Sequence, residues 1–380
     1  MKNITGIIPT GMTFVELRIG RKIVLVPFLL GPMGVGVSLS RLAAAFANEG
    51  GAGIISVVCI KEIWSKRLNY RVSNYEAVCF EIASARALSP KGVIGMNVMV
   101  AVQQDYESSI RAGVDMEIDF ISIGAGLIGN LPIIDHPHKT HIAVIVSSAK
   151  AANIVLYRWK KNNWQEMGYE LAAFIVEGPK AGGHLGFSID QVDKPEFQLE
   201  VILPPIKKIA QENGNIPVIA AGGIFTRQDV IDIMALGADG VQMATRFLAT
   251  DESDASYDYK MAIVNTTKPE DVIVSSGSPC GLPFRVVASS PMYQDFLEAK
   301  RPPRCDKGYL LRKDSEGKFT ICSAKTNNVD FFDICNGLCT SADCNSNPEE
   351  KALYTAGANA YRVTKISTVK EILDELKGLT

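Results

Sequence analysis

One histidine stands apart from the other three. His184 lies in Glu177-Gly178-Pro179-Lys180-Ala181-Gly182-Gly183-His184-Leu185-Gly186, where four glycines fall within nine residues. A stretch so rich in glycine is too flexible to serve packing, and imidazole is the side chain best matched to proton transfer near neutral pH. The residue is therefore read as catalytic; the alternative is a histidine bonded to a nearby carbonyl to stiffen the loop. A second constellation comes later. Ile216-Pro217-Val218-Ile219-Ala220-Ala221-Gly222-Gly223 is an apolar run ending in two glycines, and Gly240-Val241-Gln242-Met243-Ala244-Thr245 follows about twenty residues on. A phosphate dianion wants several backbone N–H donors converging on it, and glycine lets the backbone approach without a Cβ in the way. Gly222, Gly223, Ala244 and Thr245 are read as that phosphate site, against the plainer reading of a tight turn.

Other reactive residues carry less. His136, His138 and His141 cluster with Asp135, a set that suits zinc, copper or nickel, but Pro137 and Lys139 intervene and no helical i, i+4 pair forms, so a solvated loop is expected and no metal ligand is assigned. Cys305, Cys322, Cys335, Cys339 and Cys344 crowd one late stretch with spacing C-x16-C-x12-C-x3-C-x4-C. They lack the paired C-x2-C knuckles of a zinc site, which leaves metal, redox disulfide and reduced thiols all open. Cys280, in Ser276-Gly277-Ser278-Pro279-Cys280-Gly281, superficially resembles the nucleophile loop of inosine-monophosphate dehydrogenase. It follows the last strand rather than lying inside the barrel, so a turn with a bystander thiol is expected.

The elements that must hold these groups recur along the chain. Eight short β-branched runs read as buried parallel strands: residues 23–28, 53–57, 93–100, 120–123, 142–146, 172–176, 217–221 and 240–243. Helix-like segments separate them, although the second run leads into a polar stretch, 61–74. Eightfold β/α alternation over about 250 residues predicts a TIM-type (β/α)8 barrel, whose strand-to-helix turns share one rim. Gly31–Gly36, Gly124–Gly126, Gly182–Gly183 and Gly222–Gly223 all fall at such turns. The alternation stops in the last quarter of the chain. The expected division is therefore a barrel over 1–285 and a Cys-rich C-terminal extension over 286–380, packed on the barrel. That extension closes with the capping-box sequence Thr368-Val369-Lys370-Glu371 and an amphipathic docking helix with Val369, Ile372, Leu373 and Leu376 on one stripe.

Six blocks in order carry a resemblance: GPMGVGVSLSRLAAAFANEGGAGIIS, GMNVMV, ISIGAGLIGNLP, VSSAKAA, VEGPKAGGHLGF and IPVIAAGGIFTRQDVIDIMALGADGVQMATRFLATDES. Over roughly residues 20–285 the chain resembles the nitronate monooxygenase family, formerly 2-nitropropane dioxygenases, which also contains flavin-dependent enoyl-acyl-carrier-protein reductases. The resemblance implies FMN held noncovalently at the barrel rim, its phosphate on Gly222, Gly223, Ala244 and Thr245. Pro32, Met33, Asn97, Ser147, Gly183 and Gln242 would line the flavin, and His184 matches the family's active-site histidine. It implies oxidation of alkyl nitronates with O2; the alternatives are an enoyl-thioester reductase using NAD(P)H and a flavin-binding protein without turnover. Two residues depart from the pattern. Ala244 stands where a glycine is common, so a positive φ there would be strained and the phosphate loop shifted. Lys180 stands where relatives are often acidic or apolar, and is expected to point to water rather than to an anionic substrate.

Composition narrows the partners. With 39 basic and 41 acidic residues, a formal charge of −2 and 47% hydrophobic residues, the 380-residue chain is not a disordered tail or a polycationic nucleic-acid binder. The apolar stretch 23–39 is broken by Pro27, Pro32 and three glycines and does not read as a membrane span. No export signal is recognised, so a cytoplasmic enzyme acting on small molecules is expected, with the oligomeric state open.

Overall fold

Eight short parallel strands close on themselves in the computed structural model, which describes residues 14–298, 305–309, 315–316, 318, 320–325, 330–345, 347 and 349–379. The barrel strands are Phe28–Leu30, Ala52–Ser56, Val93–Met99, Phe120–Gly124, Thr140–Val146, Tyr169–Glu177, Val218–Ala221 and Gly240–Met243. The last closes on the first through Val241 opposite Phe28 and Met243 opposite Leu30. Seven of the predicted runs coincide with strands because they are apolar on both faces, as a strand between barrel interior and helix layer must be.

The first run is displaced. Only Phe28 of residues 23–28 enters the barrel; Lys22–Val24 pairs antiparallel with Leu17–Ile19 around Gly20, whose φ is +56°. Pro27 lacks an N–H and so cannot continue a ladder in both directions. Leu17, Ile19 and Val24 instead plug the barrel from below, packing with Leu29, Ile54, Phe120, Ile175 and Ile219. The polar stretch 61–74 is also not a loop. Ile60–Leu68 is a helix, ended by Asn69 in the left-handed region, and Ser73 caps the next helix, Asn74–Leu88. Its polar side is met by late residues: Lys66 bonds Asp343 at 2.9 Å and Tyr309 donates to Glu62. A face that looks solvated in sequence is thus covered from far along the chain.

After the eighth strand the chain builds over the rim. Val272–Ser275 and Phe284–Val287 pair antiparallel, and Phe284–Val287 also pairs with the two-residue strand Gly183–His184. A second core gathers there from Val37, Phe225, Leu248, Tyr259, Val272, Val287, Tyr354, Ala356 and Val363. The final helix, Val369–Lys377, has the anticipated capping box of Thr368 and Glu371 and buries Val369, Ile372, Leu373 and Leu376. It packs against the helices Ser40–Asn48, Arg227–Ala235 and Thr245–Leu248, between the first and last members of the outer ring. Among the described residues no helix is long and apolar enough to cross a membrane.

Candidate active site

A cavity of about 510 Å³ opens at the C-terminal ends of the strands. Its walls include Pro32, Met33, Asn97, Ser147, Gly183, His184, Gly222, Gly223, Gln242, Ala244 and Thr245, so every anticipated site residue lies on one cavity. The loop after the first strand is shaped by Ser38, whose hydroxyl accepts from Met33 N–H at 3.0 Å and donates to Gly31 C=O at 3.3 Å. Asn97 donates to Ser122 Oγ at 3.0 Å, and Ser147 Oγ donates to Gly186 C=O at 3.0 Å, tying the fifth strand to the His184 loop.

The glycines make a cradle at one end. Gly222 and Gly223 have φ of +95° and +87°, and a Cβ on Gly222 would stand 2.8 Å from Gly178 C=O. Ala244 takes φ −125°, so its side chain is unstrained and the expected shift of the loop has no backbone cause. The room for its methyl comes from across the barrel seam, where a Cβ on Gly31 would stand 2.7 Å from that of Ala244. Late residues close over this end. Gly357 N–H donates to Thr245 Oγ1 at 2.9 Å, Asn359 Nδ2 to Gly223 C=O at 2.5 Å, and Ala358 N–H to Lys180 C=O at 3.0 Å. Lys180 is exposed, as expected, and its stem lies beside Gly223.

His184 is held by pairing rather than by its loop. It sits opposite Phe284 in the small sheet, its ring edge-on to that phenyl at 4.7 Å, and Leu185 N–H donates to Pro283 C=O at 2.9 Å. Buried Arg285 straps the preceding loop, donating to Ala181 C=O at 2.9 Å and Pro179 C=O at 2.7 Å. Glu177, at the end of the sixth strand, also lines the cavity, and burial pushes its carboxyl up to about 7, partly offset by His184. A carboxyl raised in the folded state stabilises fully below its ordinary value of 4.5, and that contribution is lost as pH rises through about 7. Glu177→Gln is therefore expected to flatten the fall in stability of the ligand-free protein between about pH 4.5 and 7. Urea unfolding across that range checks it; an unchanged slope would mean the carboxyl is solvated.

Two expectations are corrected here. Cys280 is no bystander, since its Sγ lies 3.2 Å from Ser278 Oγ, which in turn lies 3.3 Å from His184 Nε2. The three other histidines do not share a solvated loop: His136 turns out to Asp115 at 2.8 Å, half-buried His138 bonds Thr140, and His141 is buried on the fifth strand facing Glu170. The crowded cysteines are buried, Cys305 packing with Cys322 in a small cluster and Cys335, Cys339 and Cys344 joining Cys59 in the main core. All carry free thiols, and among the described residues no three His, Cys, Asp or Glu side chains meet as a metal site requires.

A closed β/α barrel with a cavity at the C-terminal ends of its strands, running from two positive-φ glycines to a histidine, has the layout of a barrel enzyme's active site. The family described as nitronate monooxygenase matches residues 19–378, and the chain belongs to that family of oxidoreductases. A probable nitronate monooxygenase of Staphylococcus aureus (strain Newman) is 28% identical over 272 residues, covering 64% of this chain and 70% of the relative. Among solved structures, FabK from Thermotoga maritima superposes with a TM-score of 0.63 at 23% identity, covering 92% of this chain and 91% of its own. Nitroalkane oxidase from Streptomyces ansochromogenes gives 0.60 at 20%, covering 92% and 94%. Both share the fold.

Proposed function

We propose that the protein is an FMN-dependent nitronate monooxygenase that oxidises alkyl nitronates with O2. The observation that carries this is Gln242. Its side chain is buried, its Oε1 has no hydrogen-bond partner, and it lines the same cavity as the cradle and His184. A buried carbonyl oxygen without a partner costs roughly 1–3 kcal/mol unless a ligand N–H meets it, and a flavin ring carries such a donor. The cradle fits the flavin's phosphate: Gly222, Gly223, Ala244 and Thr245 would hold it, with the 355–359 segment closing over them and Lys180 supplying charge. Pro32, Met33, Asn97, Ser147 and Gly183 would bound the ring. Bound FMN supplies the two-electron acceptor and the route to oxygen. The chain's own residues place the substrate carbon, with His184 handling proton and charge at the nitro group, while Val58, Val102, Leu127, Leu282 and Leu338 exclude water from the rest of the cavity. Eight free thiols suit a reducing, cytoplasmic-type compartment.

The same apolar wall favours a second reading, an enoyl-thioester reductase, because it would also accept an acyl chain. Anaerobic mixing separates them. The purified protein is expected to be yellow with an FMN spectrum that bleaches rapidly with an alkyl nitronate and slowly with NADH or NADPH. Bleaching by NAD(P)H alone would transfer the assignment to the reductase; bleaching by neither would leave a flavin-binding protein without turnover. A colourless protein that cannot be reconstituted with FMN would remove the cofactor.

A further inference from the structure

The seventh and eighth strands carry the glycine cradle, and in the closed order of the barrel the third and fourth strands stand across from it, with the second beside them. Val58, Val102 and Leu127, in the segments that follow these three strands, line the far end of the cavity. Its roof there comes from much later in the chain, as Tyr309, Ile334 and Leu338 line the same space. Tyr309 donates its hydroxyl to Glu62, and the Lys61 ammonium lies 5.2 Å from the centre of its ring, so the ring rests on the helix that follows the second strand. The helix Ile334–Ser341 is clamped from two sides. A Cβ on Gly36 would stand 2.4 Å from that of Ala342, a Cβ on Gly337 would stand 2.7 Å from that of Leu353, and Ser341 Oγ donates to Leu353 C=O at 2.7 Å. Contacts this close leave the roof no room to slide, and it forms a fixed stop.

The chemistry of this end decides what can lie in it. Tyr309 has the one polar side-chain atom among these six residues, and it is already engaged by Glu62. Cys59 and Cys335 also face the cavity, but free thiols pack as small apolar groups. A hydroxyl or amide placed here would give up its water without a side-chain partner in exchange, whereas a hydrocarbon gains by leaving water. Leu338 is half-buried between buried Gly337 and Cys339, so part of its apolar side chain is left for a ligand to cover.

We propose that this far end is a subsite for the substrate's alkyl chain, and that Leu338 sets the length of chain it accepts. This rests on the reading of the substrate as an alkyl nitronate, and sharpens it. The smallest nitronates would leave the far end unfilled; a chain of several carbons, its nitro group toward His184, covers Leu338 and displaces the water there. Selectivity for chain length thereby belongs to the late part of the chain, while the cradle and His184 belong to the barrel and its rim.

The first test needs no turnover. A carboxylate shares the planar, two-oxygen anionic head of a nitronate, so straight-chain carboxylates from acetate to octanoate are titrated calorimetrically into the purified holoenzyme. Kd is expected to fall about threefold or more with each added methylene and then to level off where the chain meets the roof. Binding that is absent or independent of length would overturn the subsite. Leu338→Trp should bring the levelling point to shorter chains and Leu338→Ala should carry it to longer ones; should the larger residue prevent folding, the smaller one reads the same limit from the other side. A levelling point unmoved in a folded variant would overturn the role of Leu338. The second test repeats the series with alkyl nitronates, where the ratio of kcat/KM for long over short chains should follow the carboxylate order and appear mainly in KM, as for binding made equally in ground and transition states. Length-dependent carboxylate binding in an enzyme that turns over no nitronate would remove the substrate assignment and leave the alkyl subsite standing. Nitronate turnover with length-independent binding would do the reverse.

Discussion

Replacing His184 by alanine is expected to leave the protein folded and yellow while lowering nitronate turnover by roughly 10²- to 10⁴-fold, the loss typical of removing a proton-handling group. Flavin should stay because the residues suited to hold it, from Gly31 through Thr245, do not use the imidazole. The His184 backbone is fixed by its pairing with Phe284 and by Leu185 N–H on Pro283 C=O, neither of which involves the side chain. Cavity shape should therefore survive, and the change should appear in kcat more than in flavin content. Stopped-flow reduction under nitrogen isolates the step. A reduction rate equal to wild type would make His184 a loop-stiffening residue.

Gly222→Val is expected to yield a largely colourless protein, with FMN affinity down by about 100-fold or more. Two costs add. A β-branched side chain at φ +95° holds the backbone in a sparsely populated region at roughly 1–3 kcal/mol. Its Cβ would also stand 2.8 Å from Gly178 C=O and 3.2 Å from Ala181 N, backbone atoms of the loop that leads to His184. Gly214→Val is the control, because Gly214 has nearly the same φ, +96°, yet nothing lies within 4 Å of its would-be Cβ. It should lower stability without bleaching the protein. Equal flavin loss in both variants would mean that strain alone, not the cradle, decides binding.

The barrel was legible because seven of its strands are apolar on both faces and hand over to glycine at the rim. The final helix was legible because Thr368 and Glu371 are neighbours in sequence, so their capping box can be read locally. Residues 22–26 misled because Ile23 and Leu25 are apolar yet exposed, at 40% and 68%, in a hairpin no periodicity marks. At the site, His184 and the glycines announced themselves through composition, whereas their supports lie far away in the chain. Ser278 meets His184 across 94 residues, and Gly357 meets Thr245 across 112. Spacing cannot report such contacts, although the small-residue run Ala356-Gly357-Ala358 in a charged region was a signal that something approaches closely there. Glu177 was passed over beside the glycines that follow it.

The last helix has a consequence for assembly. It fills the place between the first and last helices of the ring, yet more than 100 residues separate it from the eighth strand. As the chain leaves the ribosome, the barrel can pair all eight strands while one seam in its outer layer stays uncovered, and the segment that closes the cradle arrives just before the helix that seals the seam. Any ligand that binds the closed cradle better than the open one must, by linkage, tighten that seam by RT ln(1 + [L]/Kd). If that ligand is the flavin proposed above, its capture and the sealing of the seam are coupled, and the cofactor acts as a staple on the finished fold.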